Sequence, residues 1–194
     1  MPLVDLHFLR QKCDIVESTS RFRGEVVESL HVKADVNESE RYTAYSEIIN
    51  RRSCITPYFW FDVFMSPDIK PETLLSLLDG KNYIELHLRG NYHWRDIIPF
   101  LHMGLKFVRL IDNMDLPAKD LRKFFKTLIR FDTYEYSFYY EKGDYNWVKR
   151  ANKAWDSVKK GSKFHLRFST SYCLDGNGVN RVHFILHRHG YYFH

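Results

Sequence analysis

A chain of 194 residues with 44% hydrophobic and 27% charged residues can bury a sizeable core and is too apolar for disorder. No window approaches the ~18 apolar residues of a membrane-spanning helix, and a net charge of +5 is too mild to name a partner by itself. Cys13, Cys54 and Cys173 are odd in number and far apart, which argues against a disulfide framework and for an intracellular setting, cytoplasm or nucleus.

Residues 1–24 give no firm element: LVDLHFL reads equally as a short strand or an edge helix, and STSRFRG as a turn. From Glu25 the pattern is regular. EVVESLHVKAD reads as a strand and is followed by a helix over Ser39–Arg51, with Tyr42, Tyr45, Ile48 and Ile49 on one side. PYFWFDVFM is a strand rich in aromatics, and the helix Lys70–Leu78 carries Pro71 in its first turn, where a missing N–H costs least. YIELHLRG alternates, with Ile84, Leu86 and Leu88 on one face and Glu85, His87 and Arg89 on the other, as in a half-buried strand. WRDIIPFLHMG then repeats apolar residues at helical spacing through Trp94, Ile97, Ile98 and Leu101. LKFVRLID is a strand and PAKDLRKFFKTLIR a helix. TYEYSFYYE is a strand with Tyr134, Tyr136, Phe138 and Tyr140 together, after which Asp144 is placed to cap a helix over Tyr145–Lys159. KFHLRFSTSYC and RVHFILHRHGYYFH follow with no helix between them, joined by Asp175-Gly176-Asn177-Gly178, a hairpin turn signal.

Strand centres near Val32, Phe61, Leu86, Arg109, Phe138 and Leu166 recur every roughly 22 to 29 residues, in the range of leucine-rich and related repeats. Leu30-His31-Val32-Lys33, Leu86-His87-Leu88-Arg89 and Phe164-His165-Leu166-Arg167 echo one another as apolar–His–apolar–basic. The expected fold is α/β: a leucine-rich-repeat-like stack of βα units with a mainly parallel sheet, ending in an antiparallel hairpin. It forms one domain over 1–194, with βα repeats over 25–160 and the hairpin over 161–194. A compact α/β sandwich with a mixed sheet is the competing architecture.

The echo puts His31, His87 and His165 with Lys33, Arg89 and Arg167 on one sheet side, either as a strip for acidic groups or as a solvated face. His183, His187, His189 and His194 cluster near the end; His187 and His189 lie about 7 Å apart on a strand, but no further ligand stands at metal spacing, so no metal is expected. The basic run Lys149–Lys163, interleaved with Trp147, Trp155 and Phe164, has the composition of a nucleic-acid patch, yet its aromatics fall on the apolar helical stripe and read as core. P-loop, GxGxxG, GxSxG and HExxH motifs are absent, and acids such as Asp112 and Asp115 have nothing placing them opposite each other in a cleft.

The segment from about Leu77 to His194 resembles the nematode F-box-associated domain. The resemblance rests on Asp115-Leu116-Pro117-Ala118-Lys119-Asp120-Leu121-Arg122-Lys123-Phe124-Phe125-Lys126, on the Asp175-Gly176 turn, on Val182-His183-Phe184 and on the aromatic end Tyr191-Tyr192-Phe193. The chain departs from that family at Arg122, where Asn is usual, and at Leu128 or Ile129, where a Trp is usual; no F-box is visible. The resemblance implies a module that captures a protein for ubiquitination. The expectation is therefore a non-enzymatic protein-interaction domain without cofactor, contacting its partner through His87, Arg89, Arg109, His165 and Arg167, with Trp60 and Tyr139 as aromatic anchors. The alternative is single-stranded RNA binding on the same basic, aromatic face. A third reading is a metal-dependent hydrolase or nuclease built from scattered acids.

Overall fold

The computed structural model describes residues 25–35, 42–140, 145–169 and 182–188. The 1–24 segment, Cys13, Asp144, Cys173, the Asp175–Gly178 turn, His189, the Tyr191–Phe193 end and His194 lie outside them. The elements run β1 (Glu25–Lys33), β2 (Thr43–Ala44), α1 (Tyr45–Ile49), β3 (Ile55–Met65), α2 (Pro71–Ser76), β4 (Glu85–His93), a 3-10 helix (Trp94–Phe100), β5 (Phe107–Leu110), β6 (Asn113–Asp115), α3 (Leu121–Leu128), β7 (Glu135–Tyr140), α4 (Tyr145–Asp156), β8 (Phe164–Ser169) and β9 (Val182–Arg188).

This is a mixed α/β fold on a nine-stranded sheet ordered β2-β1-β3-β4-β5-β7-β9-β8, with β6 pairing β4 beyond β5. Pairing is parallel from β2 through β7. It turns antiparallel where β9 enters between β7 and β8. The strands β1, β3, β4, β5 and β7 stand in chain order, with β2 on the far side of β1, so the helix-bearing crossovers step the same way and, if right-handed, put their helices on one face. Burial agrees with that geometry. Val32, Phe61, Val63, Leu86, Leu88, Val108, Leu110, Tyr136 and Phe138 are all buried on this face, as alternation requires. Against them α3 places Leu121, Phe124, Phe125 and Leu128, a buried stripe at the helical period, and α4 places Ala151 and Trp155.

Side-chain hydroxyls tie the two layers together. Tyr83 Oη donates to the Phe100 carbonyl at 2.5 Å, and Tyr136 Oη donates to the Leu128 carbonyl at 3.0 Å. Both carbonyls belong to helix ends, which lack an intrahelical donor.

Several elements differ from the sequence reading. Within the described part of the expected Ser39–Arg51 helix, α1 is helical only from Tyr45 to Ile49, because Thr43 and Ala44 pair with Val32 and Lys33 as a short edge strand; Ile49, expected on the apolar side, is 43% exposed. The stretch after β4 winds as a 3-10 helix with Pro99 inside it, a residue with no N–H to give to an α-helical ladder. Ile98 accordingly turns outward, and Phe100 takes its place in the core. The strand expected over LKFVRLID breaks at Asp112, whose φ of 68° is left-handed, so β5 and β6 are separate. The Asp112 carboxylate there accepts the Gly90 N–H at 3.0 Å.

Candidate active site

The face of the sheet opposite the helices carries polar side chains in two files. His31, Asp62, His87, Arg109 and Ser137 are successive register partners across β1, β3, β4, β5 and β7. In the next file stand Trp60, Glu85, Phe107, Glu135 and His187. Each step between neighbouring strands is about 4.8 Å, so adjacent members of a file can touch.

They pair by charge and by proton. Asp62 accepts from the His31 ring and from Tyr42 Oη, each at 3.4 Å, and lies 3.3 Å from Arg89 Nε. Glu85 Oε1 holds His87 Nε2 at 2.7 Å and Arg109 Nε at 3.3 Å. Glu135 faces His187 Nδ1 at 3.3 Å. Ser137 Oγ meets His183 Nε2 at 2.8 Å, and the His183 ring stacks on Tyr139 with centroids 4.4 Å apart. Asp62, Glu85, His87 and Ser137 are all buried; each has at least one hydrogen-bond partner, although Asp62 Oδ1 has none.

The environment sets protonation. Burial alone would raise the Glu85 carboxyl, but the hydrogen bond from His87 and the charges of His87 and Arg109 outweigh it and hold the group below its ordinary value. Burial lowers His183, and the neighbouring His187 lowers it further, so its imidazole is neutral at neutral pH. A neutral imidazole in contact with a serine hydroxyl can accept its proton. Arg109 joins the two halves: Glu85 holds its Nε on one side, and it stands beside Ser137 in the file. The constellation therefore runs His87–Glu85–Arg109 across to Ser137–His183–Tyr139, over β4, β5, β7 and β9.

Of the residues expected from sequence, Trp60, His87, Arg89, Arg109 and Tyr139 do share this face. Trp60 is half-buried with its ring 5.6 Å from that of His87, Tyr139 is 37% exposed, and Phe61 and Phe138 point into the core. The repeated histidines do not form one strip. His31 and His87 flank Asp62 in one file, whereas His165 pairs with His187 in the other. Arg167 is opposite Ile185 in β8, and its side chain lies outside the described residues. Arg89 and Arg109 are not free cations, since each faces a carboxylate. In the basic run, Trp155 and Phe164 are buried and Lys149, Lys153 and Lys160 exposed, as the helical stripe requires. Asp112 and Asp115 do not face one another: Asp112 caps the Gly90 N–H, and Asp115 is an exposed residue of β6.

The sequence reading missed Asp62, Glu135 and Ser137 as partners, and gave His183 only a metal-cluster role. Their common signal is the polar phase of each strand's alternation. Turning that signal into pairs requires the strand register, which no spacing within one strand contains.

No family model matches the chain, and no curated protein does. Among solved structures the chain is similar to the crystal structure of the O-methyltransferase from Bacillus cereus in complex with SAH. The identity is 7%, the TM-score is 0.33, and the match covers 85% of this chain and 74% of that one. The likeness is too slight to carry that protein's site across. Among the parallel strands the order reverses once, at β2-β1-β3, where the two-residue β2 lies on the opposite side of β1 from β3. No helix among the described residues is long and apolar enough to cross a membrane.

The expectation of a non-enzymatic interaction domain, with its ubiquitin-pathway and RNA-binding variants, is corrected on these findings. The Bacillus cereus structure is that of an enzyme, a likeness too slight to assign an activity to this chain. The face assigned to a partner also carries buried acid–imidazole and serine–imidazole pairs, the kind of constellation whose absence from the linear motifs supported that expectation.

Proposed function

We propose that the open sheet face is the active site of a serine-dependent hydrolase acting on a small ester- or amide-like substrate. The observation that carries this reading is the 2.8 Å contact between Ser137 Oγ and the neutral His183 imidazole. Ser137 is the nucleophile. As its Oγ bonds to the substrate carbonyl carbon, the hydroxyl proton passes to His183 Nε2. The protonated imidazole then gives that proton to the leaving group as the carbon–heteroatom bond breaks. Water repeats the sequence on the acyl-serine, so one water is consumed and Ser137 is restored. Arg109, whose Nε faces Glu85 Oε1 at 3.3 Å, offers its terminal N–H groups to the developing oxyanion. Glu85 and His87 act as positioning residues for that guanidinium, and Tyr139 fixes the plane of the His183 ring. The exposed Arg109 and Tyr139 form the rim by which substrate reaches the buried serine.

The architecture around the site is read as a leucine-rich-repeat-like winding, each βα unit stacked on the last. The chain-order run β1, β3, β4, β5 and β7, with parallel pairing throughout, supports that reading.

A fluorophosphonate probe followed by peptide mass spectrometry tests the chemistry. The expected result is an adduct on Ser137, absent in Ser137→Ala and formed about 100-fold more slowly in His183→Ala. With His183 below its ordinary value, labelling should hold its rate as pH falls through 6.5. A folded wild-type chain that takes no label at Ser137, or a His183→Ala variant labelled at the wild-type rate, overturns the proposal.

A further inference from the structure

Away from the sheet face, the loop between α4 and β8 opens onto two clefts. The first, about 300 Å³, is walled by Arg130, Lys160, Lys163 and Arg188 on its polar side, with Met103 and Phe131 among its apolar residues. A second cleft of about 630 Å³ shares Lys160, Ser162 and Phe164 with it and extends towards Lys159. Among the described residues this charge is only partly compensated. Asp132 pairs with Arg188, and Asp156 pairs with Lys159. No carboxylate among the described residues lies within ion-pair distance of Arg130, Lys160 or Lys163. Such proximity of three like charges is unfavourable unless an anion or salt relieves it.

The loop adds directed donors. Ser162 Oγ accepts the Phe164 N–H at 3.1 Å, which occupies a lone pair and leaves the hydroxyl proton for a ligand. Gly161 sits at φ +79°, and a Cβ there would meet nothing within 4 Å, so the loop backbone is open to an approaching group. Met103, at 63% exposure, is the most exposed large hydrophobic side chain among the described residues, and it stands on the wall of this cleft.

From this juxtaposition we infer that the cleft between Arg130, the 160–163 loop and Arg188 binds a small organic phosphate. The phosphoryl oxygens lie among Lys160, Lys163, Arg130 and the Ser162 hydroxyl, and the apolar part of the ligand lies against Met103 and Phe131. Sulfate-like inorganic anions would satisfy only the first half. A phosphate monoester carrying a ring satisfies both.

Isothermal titration of the full chain at low ionic strength with inorganic phosphate, pyrophosphate and phenyl phosphate tests the assignment. Phenyl phosphate should bind at least several-fold more tightly than inorganic phosphate, and Met103→Ser should erase that difference. Lys160→Ala/Lys163→Ala should weaken pyrophosphate and phenyl phosphate at least tenfold. The charge-matched Arg122→Ala/Lys123→Ala variant should stay within twofold of wild type. All the substituted positions are exposed, and urea midpoints close to wild type will separate lost binding from lost folding. Absence of heat at millimolar ligand, equal weakening in the two double variants, or no preference for the ring overturns the inference.

Discussion

Gly90 is the position where a single added methyl group tests the sheet most sharply. It sits in β4 opposite Met65 of β3, at φ +84°, with its N–H held by the Asp112 carboxylate. An alanine there meets two penalties. The left-handed backbone costs a residue with a Cβ about 1–2 kcal/mol. The Cβ would also collide with the Met65 backbone carbonyl and lie 3.0 Å from a Phe64 ring carbon, and because backbone cannot swing aside, β4 must move away from β3. Overpacking of that kind costs about 1–3 kcal/mol, which brings the expected loss to about 2–5 kcal/mol. With a urea m-value of about 2 kcal/mol per molar, the unfolding midpoint should fall by about 1–2.5 M at unchanged slope. Gly161→Ala is the internal control: its φ is equally left-handed, but nothing lies within 4 Å of the new methyl, so only the backbone term remains. Equal midpoints for the two variants would refute the claim that the Met65 carbonyl fixes the identity of residue 90.

Other consequences are as direct. Burial, opposed by a backbone contact with Tyr83 and reinforced by the Lys81 charge, lowers His102 from 6.5 to about 4. The folded state therefore refuses a proton that the unfolded chain accepts, so stability is full above 6.5 and declines as pH falls towards about 4; a His102→Gln chain should show a flatter decline in urea midpoints over that window. Glu85 is also depressed, so its contribution is full above its ordinary value of 4.5 and is lost at more acid pH; Glu85→Gln should lack that acid limb and should lower kcat through Arg109 more than it raises KM. Tyr136→Phe should cost about 1 kcal/mol in chemical denaturation, the low end for a buried hydrogen bond, because the Leu128 carbonyl still accepts the Phe131 N–H at 3.1 Å. Phe124→Ala empties a site 2% exposed between the rings of Trp94, Phe125 and Phe138; a loss of about 3–5 kcal/mol should appear as a melting temperature lower by about 10 °C.

The alternation of single strands was legible because burial is decided residue by residue. Leu86 and Leu88 against Glu85 and His87, or Tyr136 and Phe138 against Ser137, separate cleanly in the linear order. The elements that escaped reading depend on partners elsewhere. The edge strand at Thr43 exists because Val32 offers it a ladder, and the break at Asp112 because Gly90 offers that carboxylate an N–H. The same limit hid the site. His87 and Glu85 share a strand face two residues apart and could be listened for, but Ser137 and His183 are 46 residues apart and meet only through the antiparallel register of β7 and β9. A polar file across a parallel sheet also looks like a solvent face in sequence, since charge compensation by Asp62 and Glu85 appears only when neighbouring strands are laid side by side.

The position of β9 has a temporal side. It lies between β7 and β8, although β8 precedes it in the chain, so β8 has no strand to join until residues 182–188 have been made. During synthesis the parallel strands can assemble in the order in which they appear, each docking on an edge already made. The last step is of another kind: a strand must be threaded between a finished edge and a waiting one. Ser137 is in place long before that moment, but its histidine arrives only with the closing strand. The serine chemistry proposed for this face would thus be withheld from every unfinished chain and switched on by completion of the sheet.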